Sequence, residues 1–397
     1  MKYIFLIFFT LSFNIKFQFI GTLTFAQILI AIIAAYIFFN FKEDKLDDFQ
    51  KKIIILCFLW LISQIISDIY NNSIFKDSAR GFAKIFITMC SFYVFFKLVK
   101  INPLLLRDFF FTFLFVDSLY LFFSDNLMTN WKFGLGLNLL MLSLVLYSYF
   151  YWKYKKENLL LLGAIFIIFS IISLNLNVRY LFLFCLINLF GLFFINSSID
   201  FKNKVINNKI IFFSLFVFIL YIIYIFYNYL VLNDYLGDYL AQKQLKQSGD
   251  LGFLFGGRDE IFAYGKAIID SPILGHGSWA KNCDYLIFQY DFLFKFNYYA
   301  DYKLGDCLIP VHSIIFQSWV HSGIVGLIFW IFVYKNLTKK FFVDIKNINS
   351  FLPLIIFIFT WVSWDLLFSP YGMDNMIFYP FLITIIIYQS KILKYVK

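Results

Sequence analysis

The sequence predicts an all-α polytopic membrane protein. Of the 397 residues, 61% are hydrophobic and 15% are charged, whereas a soluble globular domain has roughly half apolar residues and about a quarter charged ones. The apolar residues gather in blocks close to the ~20 residues that an α-helix needs to cross a bilayer. The polar connections between these blocks alternate between rich and poor in lysine. These three observations exclude a water-soluble protein.

Apolar runs separated by polar breaks predict about twelve membrane-spanning helices. The first two form a hairpin, because only Asn14, Ile15 and Lys16 separate them and no signal-peptide cleavage site follows the first. Residues 1–232 hold helices one to nine, residues 233–309 form a large loop, and residues 310–397 hold helices ten to twelve. The predicted spans are 3–14, 18–40, 53–70, 82–99, 104–123, 133–152, 158–174, 179–196, 210–232, 310–334, 351–369 and 375–393.

The basic residues orient this bundle in the membrane. Most of the 34 lysines and arginines lie at the termini and in the even-numbered connections, such as Lys42, Lys45, Lys51 and Lys52. The positive-inside rule therefore predicts that both termini are cytoplasmic and that the 233–309 loop faces outward. The net charge of +10 is then a topology signal. Membrane lipids are the expected partners, and no nucleic-acid partner is needed to explain the charge.

The large loop is too long for a plain connector, because structureless connections beyond about 15 residues are uncommon unless they are functional. Residues 259–269 have the pattern of a short helix, and Pro272, Gly275 and Gly277 force a turn after it. The loop is thus expected to form a partly helical cap. Cys283 and Cys307 share it, and an oxidising compartment would allow a disulfide, but spacing does not decide whether they are close enough.

The arginines have an unusual distribution. Three of the four, Arg80, Arg179 and Arg258, lie on connections predicted to face outward, where lysine is sparse. A guanidinium group binds phosphate through a planar fork, so outward-facing arginines near bilayer depth fit a diphosphate headgroup. The alternative is that each arginine pairs with a local acid or with lipid phosphate.

The three histidines, His276, His312 and His321, lie in or just after the loop. Pro310 suits the first turn of a helix, which places His312 in that turn, where the helix dipole favours a neutral imidazole beside an anion. A neutral imidazole can act as a general base. His321 is nine residues further on and lies on the opposite helix face. We interpret it as structural, with its ring bonded to another span, and His276 as a residue that shapes the glycine turn.

The polar residues nearby have several interpretations. Asp259 and Glu260 follow Arg258 directly, and their ordinary role would be to cap the N-terminus of a helix. Alternatively, they and other outward carboxylates neutralise the arginines or bind sugar hydroxyls. Candidates for contacting an acceptor or supporting the site are Asp259, Glu260, His276, Gln317 and Asp365. No metal-binding or nucleotide-binding motif is present, so neither a metal nor a cofactor is indicated.

Two segments together resemble the loop signature of the bacterial O-antigen ligase and O-antigen polymerase superfamily. In that signature an Arg opens a helix that leads to a P-x-x-G-x-G turn, which here reads Arg258 followed by SPILGHGSW. A His-Asn pair then enters the next span, which ends in a G-[IV]-[IV]-G element, read here as His312-Ser313 and GIVGL at 323–327. Ser313 in place of Asn is a departure, and His321 stands where a Glu is common.

The resemblance implies an integral-membrane glycosyltransferase of the GT-C type in the bacterial inner membrane, with its active site facing the periplasm. Its donor would be a glycan linked to undecaprenyl diphosphate. The diphosphate-binding set would be Arg80 or Lys84, Arg179 and Arg258, with His312 as the base that activates the acceptor hydroxyl, and no metal would be required. The acceptor would be lipid A–core for a ligase, which we favour, or a lipid-linked glycan for a polymerase. The alternative from another class is a transporter or flippase of lipid-linked sugars.

Overall fold

A computed structural model describes residues 2–41, 45–124, 127–154, 158–176, 178–195, 224–231, 258–298, 305–344, 351–373 and 375–393, with isolated positions between 218 and 250. The described chain is almost entirely helical, as predicted. Its first part contains α1 (Lys2–Leu11), β1 (Lys16–Gln18), β2 (Thr22–Thr24), α2 (Phe25–Asn40), α3 (Asp48–Tyr70), α4 (Phe75–Ile101), α5 (Pro103–Phe123), α6 (Leu127–Asn130), a π-helical turn (Trp131–Leu135) and α7 (Gly136–Tyr154). Its second part contains α8 (Leu159–Asn175), α9 (Arg179–Ile195), α10 (Glu260–Asp270), α11 (Cys283–Lys295), α12 (Ile314–Ser322), α13 (Ile324–Asp344), α14 (Leu352–Phe368) and α15 (Asn375–Ile392).

Among the described residues, three helices are long and apolar enough to cross a membrane, namely α3, α4 and α15. Five further apolar helices are shorter, at 10–17 residues. Most predicted spans coincide with a helix, but the number of crossings, about twelve, stays a prediction. The predicted ninth span, 210–232, and the loop up to residue 257 lie largely outside the described residues.

Several helices extend beyond the predicted spans, such as α4, which begins at Phe75 where 82 was predicted, and two spans differ in structure. The second helix begins at Phe25, because residues 16–24 form an antiparallel hairpin in which Lys16 pairs with Thr24. The tenth span is interrupted, because Gly323 adopts a positive φ of 65° between α12 and α13. A left-handed residue ends a helix, and glycine adopts that conformation without a steric penalty.

Aromatic side chains fill the centre of the helical bundle. Trp60 of α3 stacks on Phe329 of α13 with 5.0 Å between ring centroids, and Trp330 meets Trp60 edge-on at 5.9 Å. The outer surface is apolar as well: Phe19, Phe123 and Leu160 are 85%, 80% and 88% exposed. An apolar exterior around an apolar core is typical of a chain surrounded by lipid.

Side-chain contacts define two opposite ends of the bundle. At one end Lys2 pairs with Asp108, and the Tyr388 hydroxyl donates to Asp47 at 2.9 Å. Lys97 and Lys100 also donate there, to the carbonyl oxygens of Phe41 and Lys45. The opposite end contains the start of α4, residues 258–298 and 305–313, and residues 369–373 after α14. The described parts of the lysine-rich connections after α2 and α4 thus meet at one end, and the histidines and Arg80 lie toward the other.

Candidate functional site

The turn that follows α10 docks against the break between α12 and α13. His276 N donates to Val320 O at 2.7 Å, and Gly277 N donates to His321 O at 3.1 Å. Ile324 N donates in return to Ile273 O at 3.2 Å. The two glycine-containing motifs of the sequence are therefore one structural unit, in which the turn satisfies backbone groups that the helix break leaves open.

Glycine is required on both sides of this contact. Gly275 has a φ of 74°, and a Cβ atom there would lie 2.6 Å from the Gly323 nitrogen. A Cβ atom on Gly323 would lie 1.8 Å from the carbonyl oxygen of Ile273. Both glycines are thus needed for backbone conformation and for close approach of two backbones.

The same turn is attached to the C-terminal end of α3 and to the N-terminal part of α4. Asp68 accepts two hydrogen bonds from Ser278, from its backbone nitrogen at 2.6 Å and from its hydroxyl at 2.9 Å. Gln64 Nε2 donates to the Ser278 hydroxyl at 2.9 Å, and a Cβ atom on Gly81 would lie 1.8 Å from that hydroxyl. Sequence analysis did not identify Ser278. Its position directly after the G-x-G pair was the available signal.

The first group of candidate residues centres on Glu260, the first residue of α10. Its Oε1 atom lies 3.3 Å from His312 Nδ1 and 3.6 Å from Arg258 Nη1. The Arg258 guanidinium carbon also lies 5.3 Å from the centre of the Phe368 ring. Glu260 is nearly buried, with 12% of its side chain exposed, whereas 54% of the His312 side chain is exposed. We call Arg258, Glu260 and His312 the histidine cluster.

The position of His312 differs from the prediction. It does not lie in the first turn of a helix: α12 begins at Ile314, and Ser313 is the N-cap, whose hydroxyl accepts a hydrogen bond from Phe316 N at 3.3 Å. The expectation of an imidazole kept neutral by a helix dipole is therefore wrong. Ser is a strong N-cap residue, which is why the helix starts after position 313 and not at Pro310.

Glu260 controls the protonation of His312. The hydrogen bond and charge of Glu260 raise the pKa of His312 above its ordinary value, against the opposing effect of partial burial. Burial would raise the pKa of Glu260, but its hydrogen bond to His312 and its other partners outweigh this and lower it. An ionised carboxylate only accepts hydrogen bonds, so the proton lies on Nδ1 and the free lone pair of neutral His312 lies on Nε2.

Asp259 and Glu260 do not cap α10 in the expected manner. Asp259 occupies the N-cap position, but its side chain makes no capping hydrogen bond to the described backbone. Burial and the adjacent Glu260 raise its pKa. The carboxylate of Glu260 instead bonds to His312, a residue 52 positions away that tertiary packing brings to it.

A second group of candidates lies where α4 faces the turn. The guanidinium carbon of Arg80 is 4.0 Å from the centre of the Trp279 ring, and Asp77 accepts from Arg80 at 3.1 Å. Lys84 is 2% exposed, and its ammonium lies 5.5 Å from the Trp279 ring and 5.7 Å from the Tyr371 ring. We call Arg80, Lys84, Trp279 and Tyr371 the cation–aromatic cluster. Trp279 and Tyr371 were absent from the sequence-based candidates.

The end of α14 and the connection that follows it link the two clusters. Phe368, which contacts Arg258, and Tyr371, which contacts Lys84, are three residues apart. Gln317 of α12 holds this connection, since its Oε1 accepts from Tyr371 N at 2.8 Å. Asp365 is mostly buried and accepts hydrogen bonds from Ser369 and from Tyr379, the latter at 2.7 Å.

The remaining candidates lie elsewhere. Arg179 opens α9 with its guanidinium carbon 5.5 Å from the Tyr227 ring, in a third group of residues. His276 contacts the carbonyl oxygen of Ala267 through Nε2 at 2.7 Å, a contact within the loop. His321 is buried, and its contact with another helix is made by its backbone carbonyl and not by its ring: the carbonyl accepts from Ser67 of α3 at 2.8 Å. Within the described chain, no three His, Cys, Asp or Glu side chains form a group that could hold a metal ion.

A disulfide joins Cys283 and Cys307, with 4.7 Å between their Cα atoms. Next to it, Lys281 and Leu308 form an isolated β-bridge, and Ile309 N donates to Ala280 O at 3.0 Å. The bridge ties the start of α11 to the segment that carries His312. A disulfide is typical of an oxidising compartment, which agrees with an outward-facing loop.

Comparison with known proteins does not place the chain in a family. No protein-family model matches it, and no curated protein is significantly similar to it. The functional interpretation therefore depends on the residues of the chain itself.

Proposed function

We propose that this protein is a glycosyltransferase of the bacterial inner membrane that transfers a glycan from undecaprenyl diphosphate to an acceptor hydroxyl, as an O-antigen ligase does. In this proposal the chain crosses the membrane about twelve times, and both clusters face the periplasm. The observation that carries the proposal is the contact between Glu260 and His312, which orients a half-exposed imidazole next to Arg258.

The geometry of the histidine cluster suits general-base catalysis. Glu260 fixes the tautomer in which His312 Nε2 is available, and a base oriented by a carboxylate is the recurring arrangement in enzymes that activate a hydroxyl. The raised pKa of His312 makes the imidazole a stronger proton acceptor than an isolated one. Each such base contributes about 10²–10⁴-fold to a reaction rate.

In the proposed reaction the acceptor hydroxyl loses its proton to His312 Nε2, and its oxygen forms a bond to the anomeric carbon of the donor sugar. The bond between that carbon and the diphosphate oxygen breaks, and undecaprenyl diphosphate leaves with the electron pair. Attack opposite the leaving group inverts the anomeric centre. Arg258, with the cations Arg80 and Lys84, stabilises the charge that grows on the diphosphate.

The arginines are already paired in part with local acids, as the alternative interpretation expected. Arg80 contacts Asp77 and Arg258 contacts Glu260. A guanidinium group has five N–H donors, and one carboxylate contact leaves several for a phosphate. The 3.6 Å separation between Arg258 and Glu260 is also longer than a close charge-assisted hydrogen bond.

The proposal is tested by complementation of a bacterial host that lacks its O-antigen ligase. The wild type should attach glycan to lipid A–core, visible as a lipopolysaccharide ladder on a gel. His312→Ala and Arg258→Ala should each lower transfer by about 10²-fold or more. Lys266→Ala is the control, since Lys266 lies on α10, the helix that follows Arg258, and pairs with exposed Asp270 at 2.6 Å.

A second host, which lacks its O-antigen polymerase, distinguishes the two possible acceptors. Chain lengthening in a polymerase-deficient host, without ligation in the first host, would assign a polymerase with the same residue roles. Full activity of His312→Ala in a responsive host would refute the assigned base. Absence of transfer in both hosts, with the protein present in the membrane, would refute the proposed reaction.

A further inference from the structure

Trp279 has an unusual backbone conformation for its size. Its φ of 50° lies in the left-handed region, which non-glycine residues other than Asn and Asp seldom adopt. Such a conformation costs on the order of 1–3 kcal/mol and persists where the surrounding structure imposes it.

The neighbours of Trp279 impose this conformation. On one side Ser278 donates two hydrogen bonds to Asp68, one from its backbone N–H and one from its hydroxyl. On the other side the carbonyl oxygen of Ala280 accepts from Ile309 N at 3.0 Å. Because both flanking residues are held, the indole ring is directed toward α4.

The indole ring meets two cations there. Arg80 lies 4.0 Å above it, and the Lys84 ammonium lies 5.5 Å from its centre. The Lys84 ammonium makes no hydrogen bond or ion pair with the described residues, although the residue is almost fully buried. Both oxygens of the nearby Asp68 carboxylate accept hydrogen bonds from Ser278.

An aromatic face attracts a cation without neutralising its charge. Trp279 therefore brings Arg80 and Lys84 together without adding a negative charge to that of Asp77, which already pairs with Arg80 at 3.1 Å. A carboxylate in the same place would orient the two cations equally well but would cancel part of the charge. Trp279 is also not interchangeable with an aliphatic residue, which has no π-face.

From this arrangement we infer that Trp279 is a positioning residue that holds Arg80 and Lys84 as a two-cation site for the diphosphate of the donor lipid. The inference rests on the proposed function, and it adds a residue that selects diphosphate over monophosphate. A lipid that carries one phosphate engages one cation well, whereas a diphosphate spans both.

The inference is tested by equilibrium binding of undecaprenyl diphosphate and undecaprenyl monophosphate to the full-length protein in nanodiscs. The wild type should prefer the diphosphate, and Trp279→Leu should lower that preference by about tenfold. Trp279→Phe should retain most of it. Trp319→Leu is the matched control, because Trp319 supports the same turn by donating to Pro272 O at 2.8 Å.

The ratio of the two affinities separates positioning from general damage, since a loosened turn weakens both ligands together. An unchanged ratio in Trp279→Leu, or an equal loss in Trp319→Leu, would overturn the inference. His312→Ala should bind like the wild type while failing to transfer glycan. A preserved diphosphate preference in a protein that never transfers glycan would reject the proposed reaction and leave the role of Trp279 in place.

Discussion

At the scale of single residues, the proposed chemistry depends most on the contact between Glu260 and His312. Sequence analysis predicted His312 as a base and Arg258 as a diphosphate-binding residue, from their residue types and their positions near the predicted outer face. It did not pair His312 with Glu260, because the two are separated by the whole of α11 and the disulfide loop. It gave helix capping as the ordinary role of Glu260, with a contact to the arginines or to the acceptor as the alternatives, because adjacent residues alone show only local roles.

The effect of Glu260 on His312 predicts a shift in the pH profile. His312 acts as a base when unprotonated, so the rate rises as pH increases through its pKa, which Glu260 raises above the ordinary value. Glu260→Gln removes that charge, and the acidic limb of kcat/KM should move to lower pH, with a lower maximal rate because the ring is held less firmly. The measurement is donor turnover against pH in detergent.

Asp270→Asn is the control for this profile. The pKa of Asp270, on the same helix, is lowered through its hydrogen bond to Lys266, and the residue does not contact the histidine cluster. Its substitution should leave the limb in place. If the acidic limb of kcat/KM in Glu260→Gln does not move, or moves to higher pH, the pairing of Glu260 with His312 is contradicted.

At the scale of elements, the docking of the glycine turn onto the α12–α13 break organises the site. It holds α10, which carries Glu260, against α12, which follows His312, and it brings Trp279 to α4. Sequence analysis predicted the turn and the helix before it within one residue, since α10 spans Glu260–Asp270. It placed His312 in the first helical turn, whereas the Ser313 cap starts the helix after it. It also predicted one continuous span, because an apolar run gives no sign that Gly323 has a positive φ.

Substitution of Gly323 should damage this docking. Gly323→Ala places a Cβ atom 1.8 Å from Ile273 O at a positive φ, and we expect a loss of stability of about 3 kcal/mol. Gly265→Ala is the control, because no atom lies within 4 Å of its Cβ position in α10; alanine in a helix interior should be neutral or stabilising by up to about 1 kcal/mol. Thermal unfolding of the two purified variants distinguishes these effects. Equal melting temperatures for Gly323→Ala and Gly265→Ala would contradict the packing argument.

At the scale of the whole molecule, the protein has a lysine-rich end and an end that carries the two clusters. Lys2, Lys97 and Lys100 contribute to the first end, and Arg80, Arg258 and His312 lie toward the second. The apolar side chains between the ends face outward as well as inward. This division agrees with the orientation that the positive-inside rule predicts.

Cysteine labelling tests that orientation. The free cysteines Cys57, Cys90 and Cys185 are buried, so they should give little background. A membrane-impermeant maleimide should label Lys295→Cys in cells with a permeable outer membrane. It should reach Lys45→Cys only after the inner membrane is opened. The reverse pattern would place the clusters in the cytoplasm and would remove the proposed donor geometry.

The sequence by itself determined the features that depend on composition and on local pattern. These are the helical class, the apolar blocks, the charge asymmetry between connections, the short helix after Arg258 and the glycine turn. Each of them follows from residues close together in the chain, where periodicity and turn chemistry act directly.

Tertiary structure alone decided which of the candidate residues meet. It separated the candidates into the histidine cluster, the cation–aromatic cluster and the surroundings of Arg179, paired Glu260 with His312, and joined Cys283 to Cys307. It also introduced Trp279, whose role follows from its strained backbone and the two cations beside it. These contacts join residues far apart in the chain, and their geometry is set by how helices and glycine turns pack, which no local pattern encodes.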